Sequence, residues 1–267
     1  LVVPNEALSL KQGAVVPWAK SNPPSPYYMQ VLASLAAEFG FSLDTPWQDL
    51  PVEVRIVILH GTAGRAVSLT FTDGKGNMYQ GEVITDNSRK MEARINSLEG
   101  NYGHRDYYLH MAVSPLKNRD RYEWFVEKAV EMGIDELTPL LCDHTEKQTV
   151  REDRVSRIMI SAMKQSVKAY LPQLNEAVAF SQFVSNSGDG LKLIAHCNGR
   201  YEREPVTTIM QQAKRITIVV GPEGDFSENE IELAGKNGFR AVTLGESRLR
   251  TETAGIVACC SAYLSNI

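Results

Sequence analysis

From Tyr107 onward, two rhythms of apolar positions alternate along the chain. "YYLHMAV" (107 to 113) is the short, nearly continuous apolar run of a strand buried on both faces. "RDRYEWFVEKAVEMG" then sets Tyr122, Phe125, Val126, Ala129 and Val130 on one helical face, and Gly133 supplies the stop. "LTPLLC" predicts a second strand, and a helix follows from Asp153 to Ala169. "LKLIAHC" (191 to 197), "RITIVV" (215 to 220) and "AVTL" (241 to 244) predict three more strands. Thr251 to Asn266, apolar and rich in small residues, predicts a closing helix packed on the sheet or on another subunit. Strands alternating with helices define an α/β domain with a mostly parallel sheet covered on both faces.

The first seventy residues have a different texture. "WAKSNPPSPYY" reads as an irregular connector. "YYMQVLASLAAEFG" places Tyr28, Val31, Leu32, Leu35 and Phe39 at helical spacing before Gly40, and "DLPVEVRIVILHG" repeats the pattern, with Pro51 in the first turn and Gly61 at the stop. "AVSLTFTDGKGNMYQGEVI" then alternates and turns at Asp73 and Gly74, a hairpin signal, and "KMEARINS" predicts a further strand. These strands are too few to close a barrel.

Composition narrows the class. A chain of 267 residues, 43% hydrophobic and 22% charged, is that of a globular protein, and no apolar run is long enough to cross a bilayer. No membrane partner is expected. The first residues do not read as a signal peptide, so the expected location is cytoplasmic. Cys142, Cys197, Cys259 and Cys260 lack a CxxC spacing, which fits reduced thiols rather than a zinc site, and no metal is expected. A net charge of −4 leaves nucleic acid open as a partner but requires a local basic surface. "EKQTVREDRVSRIMISAMKQSVK", with Lys147, Arg151, Arg154, Arg157, Lys164 and Lys168, is either such a surface or a solvated helix face.

The chemistry concentrates between Gly221 and Gly255. A strand runs into Gly221-Pro222-Glu223-Gly224 and then a helix whose start carries the capping box Ser227 to Glu230. Open α/β sheets place ligands at such strand carboxyl ends. A lone GPEG reads as a proline turn or as a ligand loop with equal ease. The balance shifts at Leu244-Gly245, which ends another strand and leads through "RLRTETAG" into an apolar helix, so two loops face one crevice. Neither GxxxxGK[ST] nor GxGxxG is present, so neither nucleotide motif fits.

"GPEGDFSENEI" followed by "LGESRLRTETA" resembles the RsmE family, S-adenosylmethionine-dependent methyltransferases of the SPOUT superfamily that methylate N3 of a uridine in 16S ribosomal RNA. "SPLKNRDRYEWFVEKAVEMGIDELTPL", "SAMKQSVKAYLPQL" and "LIAHC" occur in family order, and the resemblance runs from about Thr72 to the C-terminus. It implies a trefoil knot at the carboxyl end, a homodimer through that domain, and a partner in small-subunit ribosomal RNA or the assembled small subunit. The implied donor pocket comprises His196, Cys197, Gly221, Glu223, Gly224, Leu244, Gly245, Leu249 and Arg250. Arg250 is also the candidate catalytic residue, orienting the uridine or stabilising its charge, with a helix-start salt bridge as the competing role. Gln165 and Ser166 match family positions and are candidates to line the crevice.

The N-terminus departs from that family, which begins with a PUA-like β-barrel. Residues 1 to 71, with "FSLDTPWQDLPVEVRIVILHG" as the distinctive part, resemble an internal piece of UvrA, the ATPase subunit of excision repair, and are expected to be mostly helical. Residues 72 to 104 would be a remnant of the barrel and residues 105 to 267 the SPOUT domain. No phosphate loop accompanies the UvrA-like piece, which disfavours an ATPase. The alternative to a methyltransferase is a non-catalytic nucleic-acid-binding or structural fusion whose RNA docking is lost with the barrel.

Overall fold

The structure, a computed structural model, describes residues 2–19, 26–61, 68–86, 91–211 and 213–266. It divides into two compact units: Leu1–Asp73 with Asn77–Gly100, and Gly74–Gly76 with Asn101–Ile267.

Among its described residues the first unit holds three α-helices, α1 (Val16–Ala19), α2 (Pro26–Phe39) and α3 (Val52–His60), and three strands, β1 (Ser68–Thr72), β2 (Met78–Asp86) and β3 (Met91–Glu99). Gly40 and Gly61 end α2 and α3 at φ of +67° and +87°, the left-handed region that the two glycine stops predicted. The helices share a core in which Trp47 and Leu50 pack with Leu32, Leu35, Val54 and Ile58. The strands form an antiparallel sheet in the order β1-β2-β3. The predicted hairpin and its third strand are therefore present. The predicted irregular connector, residues 18 to 28, is helical at both ends, since Trp18 and Ala19 close α1 and α2 begins at Pro26; residues 20 to 25 lie outside the described residues.

In the second unit, β4 (Tyr108–Val113), α4 (Arg119–Met132), β5 (Glu136–Leu141) and α5 (Glu152–Gln165) come first. The short strands β6 (Gln173–Leu174) and β7 (Val178–Ala179) lead into α6 (Phe180–Ser185) and β8 (Leu191–Ala195). Then come β9 (Glu204–Pro205), α7 (Val206–Ile209), β10 (Arg215–Val220), α8 (Glu228–Lys236), β11 (Arg240–Thr243) and α9 (Thr251–Leu264). The sheet runs β6-β5-β4-β10-β8-β11-β9 with β7 beside β5, and its pairings are parallel.

Alternation along β4 explains the two layers. Leu109, Met111 and Val113 pack with Phe125 of α4, Met159 of α5 and Ala258 of α9 in one core, whereas Ala112 belongs to a second core with Phe180 of α6 and Ile231 of α8. Two expectations shift. The helix predicted to Ala169 stops at Gln165, because Val167 turns left-handed at φ +52° and Lys168 N–H bonds back to the Met163 carbonyl. The strand predicted to Cys197 stops at Ala195, which releases His196 and Cys197 into a loop.

Candidate functional site

Three loops leave the carboxyl ends of the adjacent strands β8, β10 and β11 and wall one cavity of about 340 Å³. His196 and Cys197 come from the first loop, Gly221 and Glu223 from the second, and Leu244, Gly245, Leu249 and Arg250 from the third. Eight of the nine residues proposed from sequence thus meet. Gly224 does not line the cavity: a Cβ there would stand 3.0 Å from the Cβ of His144, so this glycine serves packing.

Local chemistry explains how the loops hold their shape. In the GPEG loop, Gly221 lies against the Phe226 ring, 3.1 Å from where a Cβ would be, and Glu223 accepts a hydrogen bond from Lys117 N–H at 3.2 Å. The predicted capping box forms: Ser227 Oγ accepts from Glu230 N–H, and Glu230 Oε2 accepts from Ser227 N–H at 2.8 Å. The other carboxylate oxygen of Glu230 accepts from Asp143 N–H at 2.9 Å, which joins this helix start to the end of β5. The third loop turns at Gly245, φ +127°, with open space where a side chain would project.

Two contacts cross between elements. Thr251 Oγ1, buried at the start of α9, donates to the Gly221 carbonyl at 2.9 Å. Asp225 adopts φ +64° and accepts from Cys197 N–H at 2.8 Å through Oδ2 and from Phe226 N–H at 2.9 Å through Oδ1. Asp225 lines the cavity, as do Arg203, Ser247 and Arg248, and sequence reasoning missed all four. Asp225 carried a legible signal, because it directly follows the GPEG motif; Arg203 carried none.

His196 is buried with its ring edge-on to Tyr201, and neither ring nitrogen has a protein partner. Burial holds its pKa below the ordinary imidazole value; Asp225 opposes that shift and Arg203 adds to it. The imidazole is therefore neutral near pH 7.

Arg250 occupies the position before the first turn of α9, is exposed, and pairs with no carboxylate among the described residues. The helix-start ion pair belongs instead to Glu252, whose Oε1 lies 3.7 Å from Arg121 Nη1. Gln165 and Ser166 lie away from this cavity, and Ser166 Oγ is spent on the Ala162 carbonyl at 2.7 Å. The basic run is largely neutralised where it was richest in arginine, with Arg154 on Glu123 at 2.6 Å and Arg157 on Asp153 at 2.8 Å. Among the described residues no cluster of His, Cys, Asp or Glu is placed to hold a metal, and no helix is long and apolar enough to cross a membrane.

A parallel α/β sheet with a glycine-bearing crevice at its strand carboxyl ends defines a small-molecule-binding domain of the open-sheet class. The chain belongs to the RNA methyltransferase domain family, whose family model matches residues 105–262. The ribosomal RNA small subunit methyltransferase E of Aquifex aeolicus is 29% identical over 186 residues, 67% of this chain and 78% of that protein. A crystal structure of a probable rRNA-methyltransferase from Porphyromonas gingivalis superposes with a TM-score of 0.73 at 33% identity, over 79% of this chain and 90% of that one. A ribosomal RNA small subunit methyltransferase E from Neisseria gonorrhoeae, solved bound to S-adenosyl methionine, gives 0.64 at 25% identity over 79% and 87%. Residues 1–105 match the UvrA DNA-binding domain. The UvrABC system protein A of Brucella abortus biovar 1 (strain 9-941) is 33% identical over 52% of this chain, which spans only 15% of that protein's length.

Proposed function

We propose that this chain is an S-adenosylmethionine-dependent methyltransferase acting on N3 of a uridine in 16S ribosomal RNA, working in the cytoplasm as a homodimer through its second unit. The observation that carries this reading is the convergence of the loops after β8, β10 and β11 on one cavity. Its fit to the donor rests on two features. The volume of about 340 Å³ lies in the small-ligand range, roughly 300–1,000 Å³. At Gly245 the backbone is open to close approach. His196, Cys197, Gly221, Glu223, Leu244, Gly245, Leu249 and Arg250 are the residues proposed to hold it, with Gly224 shaping the loop from behind.

When bound, S-adenosylmethionine supplies an electrophilic sulfonium methyl. The chain's own part is alignment and charge. The loops fix the direction of attack, which by itself accounts for a large share of acceleration in a displacement reaction. Arg250, exposed and without a carboxylate partner among the described residues, holds the acceptor uridine and favours the imide anion left when N3 gives up its proton to solvent or a side chain. We further propose that the chain threads a trefoil knot around these loops, and that β2 and β3 are the remaining part of a PUA-like barrel within residues 72 to 104, preceded by the UvrA-like segment 1 to 71, which holds all of β1 but its last residue.

A second reading has its own support in the UvrA match over residues 1–105: a fusion that binds the donor but no longer docks RNA. Titration calorimetry with S-adenosylmethionine, followed by single-turnover methylation of unmodified small subunits and of free RNA, tests both. Donor binding with methyl transfer is expected. A folded chain without donor binding overturns the methyltransferase reading, and donor binding without transfer favours the fusion.

A further inference from the structure

A second cleft, about 650 Å³ and wholly within the second unit, opens at the amino ends of β4, β5 and β10. The donor cavity lies at the carboxyl ends of β8, β10 and β11. With about 3.3 Å of rise per residue, the six residues of β10 set the two sites roughly 20 Å apart.

Three cations line this second cleft. Arg105 spends one terminal nitrogen on Asp135 at 2.7 Å, its guanidinium carbon lies 4.7 Å from the centre of the Tyr107 ring, and its other terminal nitrogen, Nη1, is buried with no carboxylate on it among the described residues. Lys168 is partly buried and Lys214 exposed, and neither pairs with a carboxylate among the described residues. Burial lowers the pKa of Lys168, and the nearby Arg105 lowers it further, so this ammonium sits beside a like charge. The cleft also holds two acids, of which Asp135 is the one that meets Arg105. Asp135 also accepts from Leu109 N–H at 2.7 Å, and Asp106 lies 4.0 Å from His104.

The backbone that presents Lys168 is strained. Val167 is β-branched, 55% exposed and held at φ +52°, where side-chain packing returns little. Strain of this kind collects at functional positions. It turns the chain so that Lys168 N–H closes on Met163 and the following residues border the cleft. Aromatic rings complete the lining, with Tyr170 bonded to Asn101 at 3.3 Å and set 6.3 Å from the His104 ring. Cations beside aromatic rings are the equipment with which proteins grip single-stranded RNA, the cations taking phosphate and the rings taking bases.

We propose that this cleft is a second contact for the RNA strand, holding a phosphodiester between Arg105, Lys168 and Lys214 beside the rings of His104 and Tyr170. The assignment rests on the methyltransferase reading for its partner, and the experiment separates the two. A small-subunit ribosomal RNA transcript is bound to the wild-type chain and to Lys168→Ala, Lys214→Ala and Lys168→Arg across a salt series, with donor affinity measured in parallel by calorimetry. Both alanine variants remove side chains that make no ion pair among the described residues, and their melting temperatures are expected to match wild type.

Each alanine variant is expected to weaken RNA binding several-fold and to reduce the salt slope by about 0.7, one phosphate contact on a single strand, without changing donor affinity. Lys168→Arg is expected to restore both. Unchanged affinity and slope in both alanine variants overturn the second contact while leaving the methyltransferase reading intact. A wild-type chain that binds neither RNA nor donor overturns that reading as well. Uridine 5′-monophosphate serves as the free-nucleotide arm: if it displaces the transcript from wild type at micromolar concentration but not from Lys168→Ala, the cleft serves a nucleotide and the RNA assignment falls.

Discussion

Asp225 accepts the Cys197 N–H through Oδ2 at 2.8 Å, and so ties the loop after β10 to the loop after β8 in the wall of the cavity proposed for the donor. The residue does this from φ +64°, a conformation a non-glycine residue adopts at a cost. Its second oxygen returns part of that cost through the Phe226 N–H at 2.9 Å, and its carbonyl accepts from His144 Nδ1 at 2.9 Å.

Strain and clamp separate in two variants. Asp225→Gly relieves the backbone and removes the carboxylate, whereas Asp225→Ala removes the carboxylate and keeps the strain. Urea unfolding is expected to find the alanine variant less stable than the glycine variant by about 1 kcal/mol. Both are expected to bind the donor at least tenfold more weakly, because Cys197 and the GPEG loop lose their common tether. Wild-type donor affinity in Asp225→Gly would show that the tether does not shape the cavity.

Thr251 makes the corresponding tie from α9 to Gly221. Thr251→Val keeps the shape of the side chain and leaves the buried Gly221 carbonyl without this donor. A loss of about 1–3 kcal/mol in stability follows from an unsatisfied buried acceptor. Thr251→Ser, which keeps the hydroxyl, is expected to lose less than half of that in the same denaturation experiment.

Gly255 tests how closely α9 is seated. A Cβ at this position would fall 2.5 Å from Phe125 Cε2 on α4, a side chain with no exposed surface. Alanine favours a helix interior over glycine by about 1 kcal/mol, yet an overpacked core costs about 1–3 kcal/mol. Gly255→Ala is therefore expected to destabilise, and Gly255→Ala with Phe125→Leu to recover part of the loss. A more stable single variant would mean that the helices separate easily.

At the amino side of the sheet, His110 and Glu136 share a buried polar cluster: His110 Nε2 lies 2.7 Å from Thr138 Oγ1, and Glu136 accepts from Tyr108 at 2.8 Å and from Asn175 at 2.7 Å. Burial lowers the His110 pKa to about 4; Glu136 opposes the shift and Arg215 adds to it. Between pH 6.5 and about 4 the unfolded chain therefore binds a proton that the folded chain does not. Stability is full above the unfolded value and falls as pH drops through that window, by up to about 1.4 kcal/mol per unit. Glu136, whose pKa is lowered despite burial by Asn175, His110 and Tyr108, adds a loss of the same sign at the acid end. Chemical denaturation of His110→Gln across the same range is expected to give a visibly flatter curve than wild type.

The sheet order was only partly legible in the sequence. Each long strand of the second unit announced itself by an apolar run, and Gly133 marked the end of α4. No local pattern says that β10 lies between β4 and β8, because strand neighbours are decided by long-range packing. The site followed the same division. The loops at Gly221 and Gly245 were readable from glycine next to apolar runs, whereas Arg203 enters the cavity from a segment with no motif. Val167 misled in the other direction, since a β-branched residue gave no hint of the left-handed turn that ends α5.

Arg250 carries the most demanding prediction. Arg250 lines the cavity proposed for the donor, stands just before the first turn of α9 and has no ion-pair partner among the described residues, so its removal exposes no buried carboxylate. A residue that acts on the acceptor changes the chemical step more than donor affinity. Arg250→Ala is expected to leave the melting temperature within a degree or two of wild type and donor affinity within about threefold, while single-turnover methylation falls by about 10²-fold or more, the scale of losing one charge-stabilising group in a water-poor site. Arg250→Lys keeps the charge but lacks the planar fork, and an intermediate rate is expected. Raising the pH increases the fraction of uridine already ionised at N3, so the deficit of the alanine variant should shrink toward alkaline pH if Arg250 stabilises the anion. A deficit constant with pH would assign Arg250 to orienting the uridine, and a rate equal to wild type would remove it from the reaction.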